Sequence, residues 1–437
     1  MAMKHLHLVK AVASLVAAAA WAIPLARPTL AAPDDLSTAD RDLLVQVRLL
    51  SLLAHPAGVT ARDRGGDEQV RQIGEKLATE HGDLDRLVRV VAAQVGVELP
   101  AAAPAEEQDS LHELAAARDE EFDRVFVGRL RAANERVFPM IAAVRASTRN
   151  DAVRAFATTA DAYVARHLDY LDGTGMVSHT APPTVKAGGG SGCRPSLDAL
   201  DGVELTTEGG LGAADREFLV CLSQAVLWKQ LAGILAQQRA ASAHVKETGN
   251  LITDEARELN REVLSAAKRL NVPLPARPNA EQQKALTKLD AATGADFDRT
   301  FVKQLRVADG ELLFASAEIR AGTRNDVIRT FSATANSVVL RHMAYLEGSG
   351  LVRYEELPTP PRAAGLTTTG LERDDGIRPA AIWLMLAVTV VVGALTRGRP
   401  VDTTHRATTR SPSREVMRHE LPSTPEAPMV LEWRRSD

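Results

Sequence analysis

The feature that most constrains this chain is an internal repeat with a constant offset of 175 residues. The 56-residue segment that begins at Phe122 matches the segment that begins at Phe297 without a gap, and 27 of the 56 positions are identical. The same offset continues upstream, where Gly74 pairs with Gly249. A fixed register over such a length identifies a duplicated module, so we expect both copies to adopt the same fold.

Within each copy the apolar residues recur with the period of a helix. Two stripes in the first copy advance mostly by three or four residues: Val70, Ile73, Leu77, Leu84, Val88, Val91 and Val95, then Phe122, Phe126, Leu130, Ala133, Val137, Met140 and Val144. Such spacing places each stripe on one helix face. A helix precedes the first stripe, and another is expected to be capped by Thr148 and to end at Gly173.

These patterns predict an all-α chain in which each copy is a bundle of four antiparallel helices. The aromatic fraction of only 4% and the abundance of Ala and Leu favour helix over sheet. No alternating strand pattern competes with the helical period.

The N-terminus has the parts of a secretory signal peptide. Lys4 and Lys10 lead into an apolar, alanine-rich run, and small residues follow. Cleavage is expected after Ala22 or after Ala31, and the later point lies nearer the polar start of the first copy. An uncleaved N-terminal anchor is the alternative.

A second apolar segment lies near the C-terminus. The uncharged run of 17 residues from Pro379 to Leu395 has about the minimum length for spanning a bilayer at 1.5 Å per residue. Arg397 and Arg399 close it, and acidic residues are frequent before it, so the positive-inside rule predicts a cytoplasmic tail. A buried core helix is the alternative interpretation.

The sequence therefore predicts a single-pass protein of the plasma membrane with both bundles outside the cytoplasm. The predicted segments are a signal peptide (1–32), bundle 1 (33–177), a Gly/Pro/Ser-rich linker (178–210), bundle 2 (211–352), a juxtamembrane linker (353–378), a transmembrane helix (379–396) and a disordered cytoplasmic tail (397–437). A net charge of -4 argues against nucleic-acid binding.

The sequence predicts no catalytic residue. It has no nucleophile-elbow, phosphate-loop or dinucleotide motif at a strand-to-helix junction. Its two cysteines, Cys193 and Cys221, are too few for a disulfide scaffold or a four-cysteine zinc site. Outside the cell they could form one disulfide that stabilises the fold by about 3 kcal/mol, and two free thiols are the alternative.

Histidines are the candidate ligands. His81 and His167 lie on the inward stripes of copy one, and His342 is the repeat partner of His167, whereas Ala256 replaces His81. They are predicted either to bind a divalent metal or to titrate as a pH-sensitive pair, or to be core histidines with one hydrogen bond each. Further donors could come from Glu80 and Asn134, or from Glu255 and Asp309. No cofactor is expected beyond such a metal.

Three short motifs recur in both copies: Leu-Pro after the second helix, Phe-Asp at the start of the third and Arg-His near the end of the fourth. In these motifs the chain resembles the domain of unknown function 4142 family. The resemblance implies a ferritin-like bundle in an exported bacterial protein without an established activity. The family's second, third and fourth helices usually carry a histidine. This chain keeps only His81, His167 and His342, with Asn134 and Asp309 at the third-helix position.

The sequence thus predicts a non-enzymatic, membrane-anchored binding or envelope-interaction module, with an envelope protein or a small ligand as its partner. One alternative is a metal-binding or redox protein with a reduced site in repeat 1. Another is an envelope sensor that signals through its tail.

Overall fold

The computed structural model describes residues 36–177, 204–207 and 209–358. The predicted signal peptide, most of the linker, the transmembrane helix and the tail lie outside these residues. What the sequence predicts for those segments therefore stays a prediction.

Ten α-helices make up most of the described part, five in each repeat. In repeat 1 they are α1 (Thr38–Arg64), α2 (Glu68–Val95), α3 (Ala105–Ala116), α4 (Asp119–Ser147) and α5 (Asp151–Asp172). In repeat 2 they are α6 (Ala213–Arg239), α7 (Ala243–Arg269), α8 (Ala280–Ala291), α9 (Gly294–Gly322) and α10 (Asp326–Glu347). The all-α prediction is confirmed for these residues, since both predicted stripes fall on long helices and point into the core.

The four long helices of each repeat form a bundle in which adjacent helices are antiparallel. In repeat 1, α1 packs against α2 and α4, and α5 packs against α2 and α4. Asp123, at the start of α4, accepts hydrogen bonds from the backbone N–H groups of Gly66 (3.0 Å) and Asp67 (2.8 Å) in the α1–α2 turn. The chain therefore returns along the bundle between α2 and α4, and these two helices run in the same direction.

A short helix in that return connection was not expected from the sequence. Helix α3 buries only Leu114, and its counterpart α8 buries only Leu289, so neither shows an apolar stripe. Each short helix packs against the first and third long helices of its own repeat. Each predicted four-helix bundle is therefore a bundle of four long helices with one short helix on its side.

Three short strands also depart from the purely helical prediction. Strands β1 (Glu204–Thr206) and β2 (Gly209–Leu211) pair antiparallel, and β2 pairs with β3 (Arg324–Asn325) between α9 and α10. The last residues of the predicted linker are thus attached to repeat 2. Strands this short carry too few side chains for an alternating pattern to be visible.

The start of the fourth long helix differs from the expectation. Asn150 is the N-cap of α5, and its Oδ1 accepts a hydrogen bond from the Val153 backbone N–H at 3.1 Å. Thr148 instead accepts from the Asn150 backbone N–H at 3.2 Å and shapes the turn. The predicted cap, Thr148, was wrong by two residues because Asn caps a helix as well as Thr does. The equivalent residue of repeat 2, Asn325, is likewise the N-cap of α10.

The first two helices of each repeat cross at glycines. A Cβ added to Gly58 would lie 2.7 Å from the backbone nitrogen of Ala78, and one added to Gly74 would lie 2.7 Å from the carbonyl oxygen of Gly58. Gly233 and Gly249 make the equivalent close crossing in repeat 2. At these four positions only glycine permits the observed distance between the helices.

Two described helices, α1 and α6, are long and apolar enough to cross a bilayer by length and composition alone. Their most apolar windows are 50% and 56% buried inside the bundles, respectively. Both helices therefore serve here as core helices of the repeats.

One hydrophobic core cluster contains residues of both repeats, and a second, smaller cluster lies within repeat 2. Residues 137–145 of α4 and 312–321 of α9 are buried without interruption, because these two helices pack against each other. A helix that faced only its own bundle would keep a solvent-exposed side. The repeats are thus joined by packing as well as by the chain that links them.

Candidate functional site

A pair of imidazoles lies in the core of repeat 1. His81 on α2 and His167 on α5 are both fully buried, and their ring centroids are 4.4 Å apart with the ring planes inclined at 42°. Tyr163 stacks near the second ring at 6.2 Å between centroids. The structure therefore brings together the two histidines of copy one that the sequence singles out.

Glu80 fixes the orientation of His167. Its Oε2 lies 2.8 Å from His167 Nε2 and 3.0 Å from Arg166 Nη2. Burial alone would raise the pKa of Glu80, but the hydrogen bonds from His167 and Arg166 hold it below its ordinary value. Burial lowers the pKa of His167, although Glu80 opposes this. A neutral imidazole that donates from Nε2 to this carboxylate carries its lone pair on Nδ1, which faces the interior.

Several buried polar atoms of the imidazole pair and of Asn134, the repeat counterpart of Asp309, lack hydrogen-bond partners. They are both ring nitrogens of His81, Nδ1 of His167 and Oδ1 of Asn134. The Asn134 amide nitrogen is occupied, since it donates to the Leu130 carbonyl at 2.7 Å. Burial also holds the pKa of His81 well below its ordinary value, so this ring is neutral. Each unsatisfied buried group costs about 1–3 kcal/mol, which marks the cluster as incomplete.

Repeat 2 places an ammonium group in the equivalent interior. Lys229 on α6 is buried and donates to Asp309 Oδ1, and its Nζ lies 3.5 Å from His342 Nδ1. The Asp309 Oδ1 and His342 Nδ1 atoms are 4.0 Å apart. Burial raises the pKa of Asp309, while the ammonium opposes the rise. Burial, and then Lys229, lower the pKa of His342 well below its ordinary value.

The glutamate and its hydrogen-bond partners are common to both repeats, whereas the side chains farther inside the bundle differ. Glu255 receives hydrogen bonds from Arg341 (3.1 Å) and Tyr345 (2.9 Å), as Glu80 receives them from the equivalent residues of repeat 1. In the interior, repeat 1 has Ala54, His81 and Asn134, and repeat 2 has Lys229, Ala256 and Asp309 at the same positions.

Lys229 is the site residue that the sequence reasoning missed. It stands inside the otherwise apolar segment of α6, at the position where repeat 1 has Ala54. A charged residue that replaces alanine on a core stripe was the available signal, and comparing the two copies residue by residue would have found it.

The other predicted site residues do not lie beside the imidazole pair. His342 belongs to the separate interior of repeat 2, beside Lys229. Within residues 36–177, 204–207 and 209–358, no group of three or more His, Cys, Asp and Glu side chains is arranged to hold a metal ion. Cys221 lies on α6, but Cys193 is outside the described residues, so their disulfide stays a prediction.

A second polar cluster joins the repeats. Arg145 forms two hydrogen bonds of 2.8 Å with the carboxylate of Glu347, from α4 of repeat 1 to the end of α10. The equivalent pair runs in the opposite direction, with Arg320 Nη2 2.6 Å from Asp172 Oδ2. A reciprocal exchange of this kind is the mark of an approximate twofold axis between the repeats.

Each of these two acids also binds an arginine of its own repeat. Arg131 Nε lies 2.6 Å from Asp172, and Arg306 Nε lies 2.8 Å from Glu347. Burial alone would raise the pKa of both carboxyls, but the arginines around them hold it below the ordinary value. The junction therefore consists of ionised arginine and carboxylate groups that are buried as pairs.

Comparison with protein families supports the duplication. The family described as Domain of unknown function (DUF4142) matches two separate regions, residues 25–172 and 204–347. Neither the curated proteins nor the solved structures give a match to the chain.

Proposed function

Because the chain belongs to the domain of unknown function (DUF4142) family in two tandem copies, we propose that it is an exported, membrane-anchored module that acts by binding in the cell envelope. The signal peptide and the transmembrane helix predicted from the sequence supply export and anchoring. The described part supplies a single body for display outside the cytoplasm, and its role is interaction rather than catalysis.

The reciprocal ion pairs between the repeats carry this proposal. Arg145 and Arg320 are each 3% exposed, and each binds an acid of the other repeat. Ion pairs that are nearly removed from water cost solvation free energy and confer a fixed arrangement more than stability. A rigid double bundle is suited to presenting a constant surface to a partner, which is the property that a binding module needs.

Anchoring and orientation can be tested together in intact bacterial cells. The full chain is expected in the membrane fraction, and a variant that lacks residues 379–396 is expected in the soluble exported fraction. A reporter that is active only outside the cytoplasm, fused after Asp437, is expected to be silent. Reporter activity at that position, or a full chain that is soluble without the deletion, would contradict the anchored topology.

Binding can be tested by photo-crosslinking at exposed positions of the same anchored chain. A photoreactive residue at Leu264, which is 51% exposed on α7, is the probe, and one at the buried position Leu259 is the matched control. A partner should give a discrete product of higher mass from exposed positions only. If probes spread over every exposed helix give none, a protein partner is ruled out for this module.

A further inference from the structure

We propose that repeat 1 holds one divalent transition-metal ion between His81, His167 and Asn134, and that Lys229 supplies the equivalent positive charge in repeat 2. The site goes beyond the proposed envelope role and does not depend on it. No metal is needed in repeat 2, because the protein carries its own cation there.

Repeat 2 shows where a positive charge sits in this fold. The Lys229 ammonium donates a hydrogen bond to Asp309 Oδ1 and lies 3.5 Å from His342 Nδ1. It therefore contacts both acceptors at once. Both acceptors are fully buried, so the ammonium is the group that satisfies them. The core of the module is therefore built around a cation at a defined position.

Repeat 1 keeps the two acceptors but lacks the ammonium. Asn134 Oδ1 and His167 Nδ1 hold the positions of the two repeat 2 acceptors, and both are without partners in the described structure. Ala54 replaces the lysine, so no ammonium reaches the acceptors of repeat 1. His81 replaces Ala256 beside this space and adds a third unpartnered donor. Relative to repeat 2, Ala54 removes the internal ammonium group, and His81 adds a ligand that could bind a metal ion.

The imidazoles are close enough to share one ion after a small movement. Two imidazoles bound tetrahedrally to one ion at metal–nitrogen distances of about 2.1 Å place their ring centroids about 5.3 Å apart. The observed separation of 4.4 Å between His81 and His167 is about 1 Å shorter, so the rings would move apart by that amount on binding. Glu80 supplies the outer partner, because a ligating histidine usually donates its other ring N–H to a carboxylate.

The donor set selects the class of ion. Two imidazole nitrogens suit zinc, copper or nickel, whereas calcium and magnesium require mostly oxygen ligands. With Asn134 Oδ1 as the third ligand, a water molecule would complete a four-coordinate site. All three protein ligands are neutral, and Glu80 behind His167 contributes a nearby negative charge.

The test uses the full chain in detergent, titrated with Zn²⁺ by calorimetry and with Co²⁺ by visible absorption. We expect one equivalent of either ion per chain, with Co²⁺ bands typical of nitrogen coordination. The decisive variant combines Ala54→Lys, His81→Ala and Asn134→Asp, which gives repeat 1 the interior that repeat 2 already folds with. We expect it to lower the affinity by at least about 100-fold and to abolish the effect of Zn²⁺ on the thermal midpoint.

Two further variants complete the design. Lys229→Ala, Ala256→His and Asp309→Asn together should create a second site and raise the stoichiometry to two. His112→Ala removes an exposed histidine of α3 and should change nothing. Unchanged binding by the first triple variant overturns the proposal. So does a folded wild-type chain that binds neither ion saturably, since buried water would then satisfy the donors.

Discussion

Asp161 and Asn336 hold the same position in the two repeats, and they hydrogen-bond to each other. Asn336 Nδ2 donates to Asp161 Oδ2 at 2.8 Å, and both side chains are buried. A contact between equivalent positions arises where a local twofold axis passes between them. The axis that relates the repeats therefore runs between α5 and α10 at this pair.

This pair predicts a pH-dependent stability. Burial raises the pKa of Asp161 to about 7, although Asn336 and Arg145 oppose the rise. The folded state thus holds this proton more tightly than the unfolded chain, whose aspartate titrates at about 3.9. The stabilisation by the protonated carboxyl is complete below the unfolded pKa, and it is lost as the pH rises through the folded pKa.

Asp161→Asn should remove this loss. Between pH 5 and pH 8, the unfolding free energy of the wild type should fall relative to that of the variant by about 2–3 kcal/mol. Urea unfolding at the two pH values measures the difference. Asp109→Asn, at an exposed position of α3, is the control and should follow the wild type. Parallel pH profiles for wild type and Asp161→Asn would refute the assignment.

Removing one partner of a junction ion pair should destabilise the protein, because the buried charge that remains loses hydrogen bonds. Arg145→Met removes two hydrogen bonds from Glu347 and leaves the one from Arg306, so we expect a loss of about 2–3 kcal/mol in unfolding free energy. Arg86→Met is the matched control, because Arg86 pairs with Asp83 on the surface and is 69% exposed. The control should change stability by less than about 1 kcal/mol. Equal effects in chemical denaturation would contradict the buried pairing.

The helix crossing at Gly58 should not tolerate a methyl group. A Cβ there meets the backbone of α2, which cannot move aside as a flexible side chain could, so Gly58→Ala should destabilise the protein by about 1–3 kcal/mol. Gly128→Ala is the opposite case, since nothing lies within 4 Å of the added Cβ on the exposed side of α4. It should stabilise by about 0.5–1 kcal/mol because alanine is the better helix former. A thermal midpoint of Gly58→Ala at or above that of the wild type would show that the two helices are farther apart at this crossing than described.

The cysteine pair gives a redox prediction. If Cys193 and Cys221 are joined in the exported protein, Cys221→Ser should lower the unfolding free energy by about 3 kcal/mol under non-reducing conditions. In reductant, the variant and the wild type should unfold alike. Thiol labelling of the denatured, unreduced wild type is the check, and two labelled cysteines per chain would exclude the bond.

Much of the fold follows from local sequence. The stripes that contain Leu77 and Phe126 recur with the helical period, and that period depends only on nearby residues. The repeat offset then transfers every helix from one copy to the other. Helix α3 escaped prediction because its single buried residue, Leu114, forms no stripe.

The site and the junction depend on contacts between distant residues. Lys229 can be buried because Asp309, 80 positions away, accepts a hydrogen bond from its ammonium group, and no local sequence pattern predicts that contact. The continuous burial around Phe138 likewise comes from α9, in the other repeat. The sequence identified His81 and His167 as inward-facing, but only the fold shows that their rings touch.

The covalent link between the repeats has a consequence for how many sites the molecule can hold. In a dimer of identical chains every substitution appears twice, so a cavity opened in one subunit is opened in both. Here Ala54 and Lys229 occupy equivalent positions with different side chains, so the two repeats need not bind the same ligand. In one half, an internal charge can occupy the buried acceptors. In the other half, the acceptors can bind an external ligand. Duplication within one polypeptide thus permits a one-to-one stoichiometry that a symmetric dimer of this module could not reach.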